Sequence, residues 1–136
     1  YEMDEMYTRI NGKRRWITYA INRKTKQVID FVVGRRSNDT ISKVVNTVLL
    51  LNPKKIYTDR FLSYRSLIPK SIHKVTRYQT NRIERFNLNL RTHLKRLSRK
   101  TLCYSKSREV LEAILKIYFW GCELILNKPF HSSLFN

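Results

Sequence analysis

Apolar and polar positions change their period along this chain, and the changes mark out its elements. YEMDEMYTRI and KRRWITYAIN read as two strands separated by Asn11-Gly12, a dipeptide whose tolerance of positive φ makes a tight hairpin turn. QVIDFVVG is a third strand, reached through the polar turn NRKTK and ended at Gly34. Ser37, Asn38 and Asp39 then offer N-caps for a helix in which Ile41, Val44, Val45, Val48, Leu49 and Leu51 fall near helical spacing. Asn52-Pro53 stops that helix, and KKIYTD follows as a short β-branched and aromatic strand ending at Asp59. RFLSYRSLI reads as a short helix, SIHKVTR beyond Pro69 as a strand, and the stretch from about Asn81 to Arg99 as a long basic helix. Its apolar stripe is Ile83, Phe86, Leu90, Leu94 and Leu97. A last helix, SREVLEAILKIYFW, buries Val110, Leu111, Ile114, Leu115 and Tyr118 or Phe119, while NKPFHSSLFN has no periodicity.

Three strands, then helix, strand, helix, strand, helix, helix, is the order of an RNase H-like α/β fold. Such a fold is a mixed five-stranded sheet with spatial order 3-2-1-4-5, flanked by helices. It sets the first strand beside the fourth, so Asp4 and Asp59 become neighbours. One domain is expected over residues 1–128, with 129–136 as a tail.

Composition narrows the partner. Twenty-eight Lys and Arg against 10 Asp and Glu give a formal charge of +18 on 136 residues, a surface that attracts phosphate backbones. A solvated basic face is the plainer explanation, but so large an excess of one sign serves solubility poorly. A hydrophobic content of 42% supports a proper core. The apolar stretch AILKIYFWGCELIL carries Lys116 and Glu123 and falls short of the about 20 residues a membrane span needs, so it reads as a buried helix. Cys103 and Cys122, 19 positions apart, lack zinc-site spacing, and no signal peptide is visible. A reduced chain, cytoplasmic and associated with the nucleoid, is expected, with both cysteines in the core. Because it opens at Tyr1 without an initiator methionine, it is expected to be a piece of a longer polypeptide.

The acidic residues are informative because they are scarce. In the 49 residues between Asp59 and Glu109 the single carboxylate is Glu84, set within the basic helix. Asp4 on the first strand, Asp59 at the end of the fourth and Glu84 near a helix start can converge. Hard oxygen ligands on rigid elements suit Mg²⁺ or Mn²⁺, and two such ions about 3.5 to 4 Å apart would serve in-line phosphodiester displacement. Each acid also has a plain reading. Asp59 would cap the following helix, and Glu84 would answer the helix dipole or pair with Arg85. By strand alternation Glu2 and Asp4 share one face and Glu5 the other, which leaves the choice among them open.

Several blocks carry a resemblance: EMDE at Glu2 to Glu5, YTD at Tyr57 to Asp59, and above all RIERFNLNLRTHLKRLSRKTLCYSKS from Arg82 to Ser107. In order and spacing the chain resembles the catalytic domain of insertion-sequence transposases of the InsB type, the family founded on the insertion sequence numbered one. The resemblance covers nearly all of positions 1 to 120. In that family the acids form a DDE triad with 24 residues between the second and third, and 24 residues lie between Asp59 and Glu84 here. The resemblance therefore selects Asp4, Asp59 and Glu84 as catalytic and metal-binding. One departure is Phe86, in ERFN, where the family commonly has ERHN, so a polar helper is expected to be missing. The family also places a DNA-end-binding region ahead of the catalytic domain, and no such module is visible here.

The implied activity is hydrolysis at transposon ends to free 3′-hydroxyls, followed by strand transfer of those hydroxyls into target DNA. The implied partners are transposon-end and target DNA, held by a homodimer or higher assembly. Around the centre, Arg82, Arg85, Asn87, Arg91, Lys95, Arg96, Arg99 and Lys100 are expected along the DNA, with Arg91 and Lys95 nearest the scissile strand on the Glu84 side. Lys13, Arg14, Arg15, Arg35 and Arg36 are further phosphate candidates. Tyr57, Phe61, Tyr64 and Trp16 read as core. Competing readings are another RNase H-like nuclease that only cuts, an inactive or domesticated remnant that keeps a DNA-binding fold, and a helical oligomerisation module.

Overall fold

The computed structural model describes residues 1–77, 79–98 and 103–126, with side chains described as far as residue 121. Arg99, Lys100, the side chain of Cys122 and the tail from residue 127 lie outside the described residues.

A three-stranded meander forms first along the chain. Strands β1 (Glu2–Ile10) and β2 (Lys13–Ile21) pair antiparallel without interruption from Glu2↔Ile21 to Ile10↔Lys13. Asn11 (φ 50°) and Gly12 (φ 75°) supply the two left-handed residues that a two-residue hairpin turn demands. Strand β3 (Val28–Gly34) pairs antiparallel with β2, but its register shifts: Ala20 faces Asp30 and Ile21 faces Val28, so Ile29 is left over. That bulge changes the parity of the strand. Val28, Phe31 and Val33 consequently all join one hydrophobic cluster.

Strands β4 (Ile56–Thr58) and β5 (His73–Val75) extend the sheet in parallel, giving the order β3-β2-β1-β4-β5. This is the mixed RNase H-like sheet that the element order predicts. Both added strands are three residues long, shorter than the six and seven residues of KKIYTD and SIHKVTR.

Helices cover both faces. On one lie α1 (Asn38–Leu49), whose N-cap Ser37 accepts from the Thr40 N–H, and the short α2 (Leu62–Leu67). Ile41, Val44, Val45, Val48 and Tyr64 pack there against Met3, Ala20 and Ile56. On the other lie α3 (Asn81–His93) and α4 (Arg108–Leu126), with Ile83, Leu90, Leu111 and Leu115 packed against Met6, Ile17, Tyr19 and Ile21.

The basic helix ends six residues earlier than its pattern predicts. Leu94 adopts an extended conformation (φ −114°, ψ 101°), and Lys95–Leu97 then form a single 3₁₀ turn. Leu97 is still buried, because the turn returns it to the core by a different path. Lys95 no longer continues the helical row of Glu84 and Arg91. Two apolar positions face outward contrary to expectation: Val110 is 51% exposed and Leu51, beyond the end of α1, is 48% exposed. Cys103 is exposed, not a core residue. No helix among the described residues is long and apolar enough to cross a membrane.

Candidate active site

Strand alternation sorts the acidic residues of β1. Glu5 faces α1 and α2, where Arg36 Nη2 lies 2.5 Å from its Oε1 and the Tyr64 hydroxyl donates to its Oε2. The Arg36 guanidinium also lies 3.7 Å from the centre of the Phe61 ring, so Glu5 is held by a braced partner. Glu2 faces the α3 side, fully buried, with Arg23 Nε 3.6 Å from Oε1. Burial raises its pKa, and Arg23 opposes the rise.

Asp4 also faces α3, and both of its oxygens are engaged by neutral donors. The Glu5 N–H donates to Oδ1 at 2.9 Å, and Asn87 Nδ2 donates to Oδ2 at 2.8 Å. Asn87 is in turn oriented by the Tyr19 hydroxyl, which donates to Asn87 Oδ1 at 2.5 Å. Burial pushes the pKa of Tyr19 well above the ordinary phenol value, so this donor keeps its proton. The same desolvation, with the charges of Glu5 and then Asp59, raises the Asp4 carboxyl from 3.8 to about 7, against the two hydrogen bonds. A carboxylate whose ionisation is held back by burial and then by its carboxylate neighbours is one that a nearby cation would stabilise.

Asp59 and Glu84 line one open cleft of about 360 Å³. Asp59 follows the last residue of β4, and its Oδ1 accepts from the Phe61 N–H at 2.9 Å, tying the turn that precedes α2. Its structural role and its place in the cleft coexist, since one oxygen ties the turn. Glu84 is exposed on the first turn of α3, with Thr80 Oγ1 donating to Oε1 at 3.2 Å. Three cations share the wall, Arg36, Arg60 and Arg77, together with Phe61, Thr76 and Thr80. Beneath Asp59, the Thr58 hydroxyl donates to the Asp59 carbonyl at 2.9 Å and shares a 2.6 Å hydrogen bond with His73 Nε2.

The structure thus brings Asp59 and Glu84 to one cleft and sets Asp4 within electrostatic reach of Asp59 from the sheet. Among the described residues no three His, Cys, Asp or Glu stand close enough together to hold an ion in this arrangement. The donors nevertheless suit a hard divalent cation in kind. They are carboxylate oxygens on a strand, a strand end and a helix, with Asp4 destabilised as an anion and Glu84 exposed and able to rotate without repacking.

The basic residues divide between sites. Arg82 and Arg85 line a separate cavity with Lys26 and Asn89, which no carboxylate lines among the described residues, and Arg91 and Arg96 line a third. Lys95 is exposed. Asn87, expected on the DNA side, is turned inward and 9% exposed, because at its position on α3 it falls in the row of Ile83 and Leu90. Phe86 packs against Tyr19 and Phe119, with ring centroids 5.8 and 5.9 Å away, and does not line the cleft. Two residues along a helix turn a side chain by about 200°, which directs position 86 away from Glu84. Tyr64 is fully buried, as expected of a core residue, and Tyr57, Phe61 and Trp16 are half-buried.

Sequence reasoning missed Arg60, Arg77, Thr80 and Tyr19. Arg60 stood next to Asp59, a usable signal. Tyr19 could be found only by noticing that its strand face points at α3.

Residues 1–121 match the family described as IS1 transposase. The chain is 37% identical over 116 residues to the InsB protein of an iso-IS1n insertion element from Shigella dysenteriae, covering 84% of this chain and 88% of that protein. It is 38% identical over 122 residues to the InsB protein of the element IS1 4 of Escherichia coli K12, covering 86% and 71%. An IS1 InsB protein of Shigella sonnei is 37% identical over 122 residues, covering 86% and 91%.

Proposed function

This chain belongs to the IS1 transposase family, and from that premise we propose that it cleaves DNA at transposon ends and joins the freed 3′-hydroxyls to target DNA through Asp4, Asp59 and Glu84. The observation that carries the reading is the pairing of Asp59 and Glu84 in an arginine-walled cleft, with Asp4 behind them raised to about 7 by burial and its carboxylate neighbours. Mg²⁺ or Mn²⁺ held by these three residues, as one ion or two, would supply charge neutralisation at the reacting phosphate.

Each residue has a distinct task. Asp4 is fixed by Tyr19 and Asn87, so its carboxylate is aimed before any ligand arrives. Asp59 presents one oxygen to the cleft while the other ties the turn. Glu84, exposed, closes the set. Arg36, Arg60 and Arg77 line the same wall, where a scissile strand's phosphates would sit. In the first step water displaces the 3′-oxygen at the element end, leaving a free 3′-hydroxyl and a 5′-phosphate. In the second, that hydroxyl displaces the 3′-oxygen of a target phosphodiester, and one bond replaces another. No covalent enzyme intermediate is needed, because positioning and electrostatics carry both steps. Two ends must meet, so a dimer or higher assembly on DNA goes with this reading.

Calorimetric titration of Mn²⁺ into this chain and into Asp59→Ala tests the centre without any knowledge of the end sequence. Binding that is lost in the variant supports it, and equal binding in the two proteins counts against it. A second reading, a DNA-binding remnant without turnover, is favoured by the absence of three ligands already gathered among the described residues. It predicts DNA binding with no Mn²⁺ site and no strand joining. A nuclease that only cuts would release 3′-hydroxyls without joined product.

A further inference from the structure

At the far ends of β1 and α3 lies the third of these cavities, also cationic and of about 380 Å³, which the carboxylate chemistry does not use. Arg9, Arg91 and Arg96 line it, with Tyr7 and Tyr104, and no carboxylate does so among the described residues. Three guanidiniums in a concave site of this size are a receptor for an anion.

Two features say more than charge. The first is an aromatic frame. Tyr7 and Tyr104 are each 39% exposed, and Arg9 links them: its Nε donates to the Tyr7 hydroxyl at 2.9 Å, and its guanidinium lies 5.9 Å from the centre of the Tyr104 ring. Tyr7 is backed edge-on by Trp16 at 5.6 Å. Ser105, next to Tyr104, bridges to Ile10 and accepts the Asn11 N–H at 2.8 Å, which anchors the wall to the end of β1. The rings are therefore held before any ligand binds. The second feature is Thr8, which forms part of the wall, is 4% exposed and has an Oγ1 without a hydrogen-bond partner. An orphaned buried hydroxyl costs free energy that a polar ligand would recover.

Position supplies the rest. Thr8 is four residues from Asp4 on the same face of β1, about 13 Å along the strand. Arg91 is seven residues from Glu84 on α3, about 10 Å along the helix. At the duplex rise of about 3.4 Å per nucleotide, the cavity lies roughly three to four nucleotides from the carboxylates, and fewer where the strand is unpaired and extended. We propose that this cavity receives one unpaired nucleotide of a DNA strand whose scissile phosphate sits at the carboxylates, with its base against Tyr7 and Tyr104 and its phosphate on Arg91 and Arg96. The identity of the strand rests on the transposase reading. The preference for an unpaired base rests on the pocket alone, since a duplex base has no free face to offer the rings.

The test is metal-free equilibrium binding in EDTA, with a labelled single strand of about a dozen nucleotides, the same sequence as a blunt duplex, and an abasic strand of equal length. Tyr104→Ala should weaken single-strand binding by about 5- to 100-fold and leave duplex and abasic binding within twofold, while Tyr104→Phe retains the wild-type affinity. Arg96→Ala should lower the salt slope on the single strand by about 0.7. Single-strand affinities of Tyr104→Ala and Tyr7→Ala within twofold of wild type would overturn the proposal. So would equal losses on all three ligands, which describe a plain phosphate surface. Failure of the catalytic reading shows elsewhere, in Mn²⁺ binding that ignores Asp59→Ala, so the two failures are separable.

Discussion

Replacing Asp4 with asparagine should make the metal-free protein more stable at pH 8 and less stable at pH 4. Burial first, then Glu5 and Asp59, raise the carboxyl from 3.8 to about 7. Between these two values the native state keeps a proton that the unfolded chain has released. Stability therefore falls as pH rises through that window, and the loss is complete above the folded value. A rise of about three units corresponds to about 4 kcal/mol. An asparagine side chain cannot ionise, so the Asp4→Asn variant escapes that loss. Its amide nitrogen accepts no hydrogen bond, however, whereas both oxygens of the carboxyl can accept whether it is ionised or protonated, and both the Glu5 N–H and Asn87 Nδ2 donate to Asp4. One donor loses its partner, at a cost of about 1–3 kcal/mol at every pH. The variant should thus gain about 1–3 kcal/mol at pH 8 and lose a similar amount at pH 4, with a crossing between. Urea unfolding in EDTA at half-unit pH intervals measures both curves. Glu2, also raised by burial, contributes a slope of the same sign in both proteins and cancels in the difference. A difference that stays constant from pH 4 to pH 8 would refute the assignment of the slope to Asp4. Saturating Mn²⁺ at pH 8 should reverse the order by stabilising the wild type alone.

Tyr19→Phe removes the donor that orients Asn87 and should lower stability by about 1–2 kcal/mol and weaken Mn²⁺ binding measured by calorimetry, without altering the salt dependence of DNA binding. Arg36→Ala leaves the buried Glu5 carboxylate with Tyr64 alone. The loss, read by urea unfolding at pH 7, should be about 2 kcal/mol, below the range for a fully buried pair because Arg36 is open to water. Phe86→His places a polar ring against Tyr19 and Phe119 and should cost about 1–3 kcal/mol, while Mn²⁺ affinity changes less than twofold. A large gain in affinity would show that position 86 reaches the metal after all.

Strand order and the division of β1 were legible because they depend on period and sequence order alone. Alternation put Glu2 and Asp4 on one face and Glu5 on the other, and the ion pair with Arg36 shows what Glu5 does there. What alternation could not supply was a partner far along the chain. Asn87 lies 83 positions from Asp4, and nothing local marks an asparagine in a row of isoleucine and leucine as the partner of a half-buried carboxylate on the sheet. The early end of α3 was hidden for another reason. Leu90, Leu94 and Leu97 keep helical spacing, and no glycine or proline interrupts them, so only packing against the sheet reveals the turn at Leu94. Val110 misled in the same way, as an apolar residue at the first turn of α4 on the side away from the core.

The parallel contact between β1 and β4 is a narrow one, with a single register pair, Glu2↔Tyr57, and a bond from the Tyr57 N–H to the Tyr1 carbonyl. The meander of β1 to β3 closes through short turns and is fast to form, whereas joining β4 to β1 closes a loop of more than 50 residues. Asp59 rides on the slow side of that seam and Asp4 on the fast side. A partly folded chain in which that seam is open therefore holds Asp4 and Asp59 apart, so the electrostatic influence of one acid on the other reports closure of the seam.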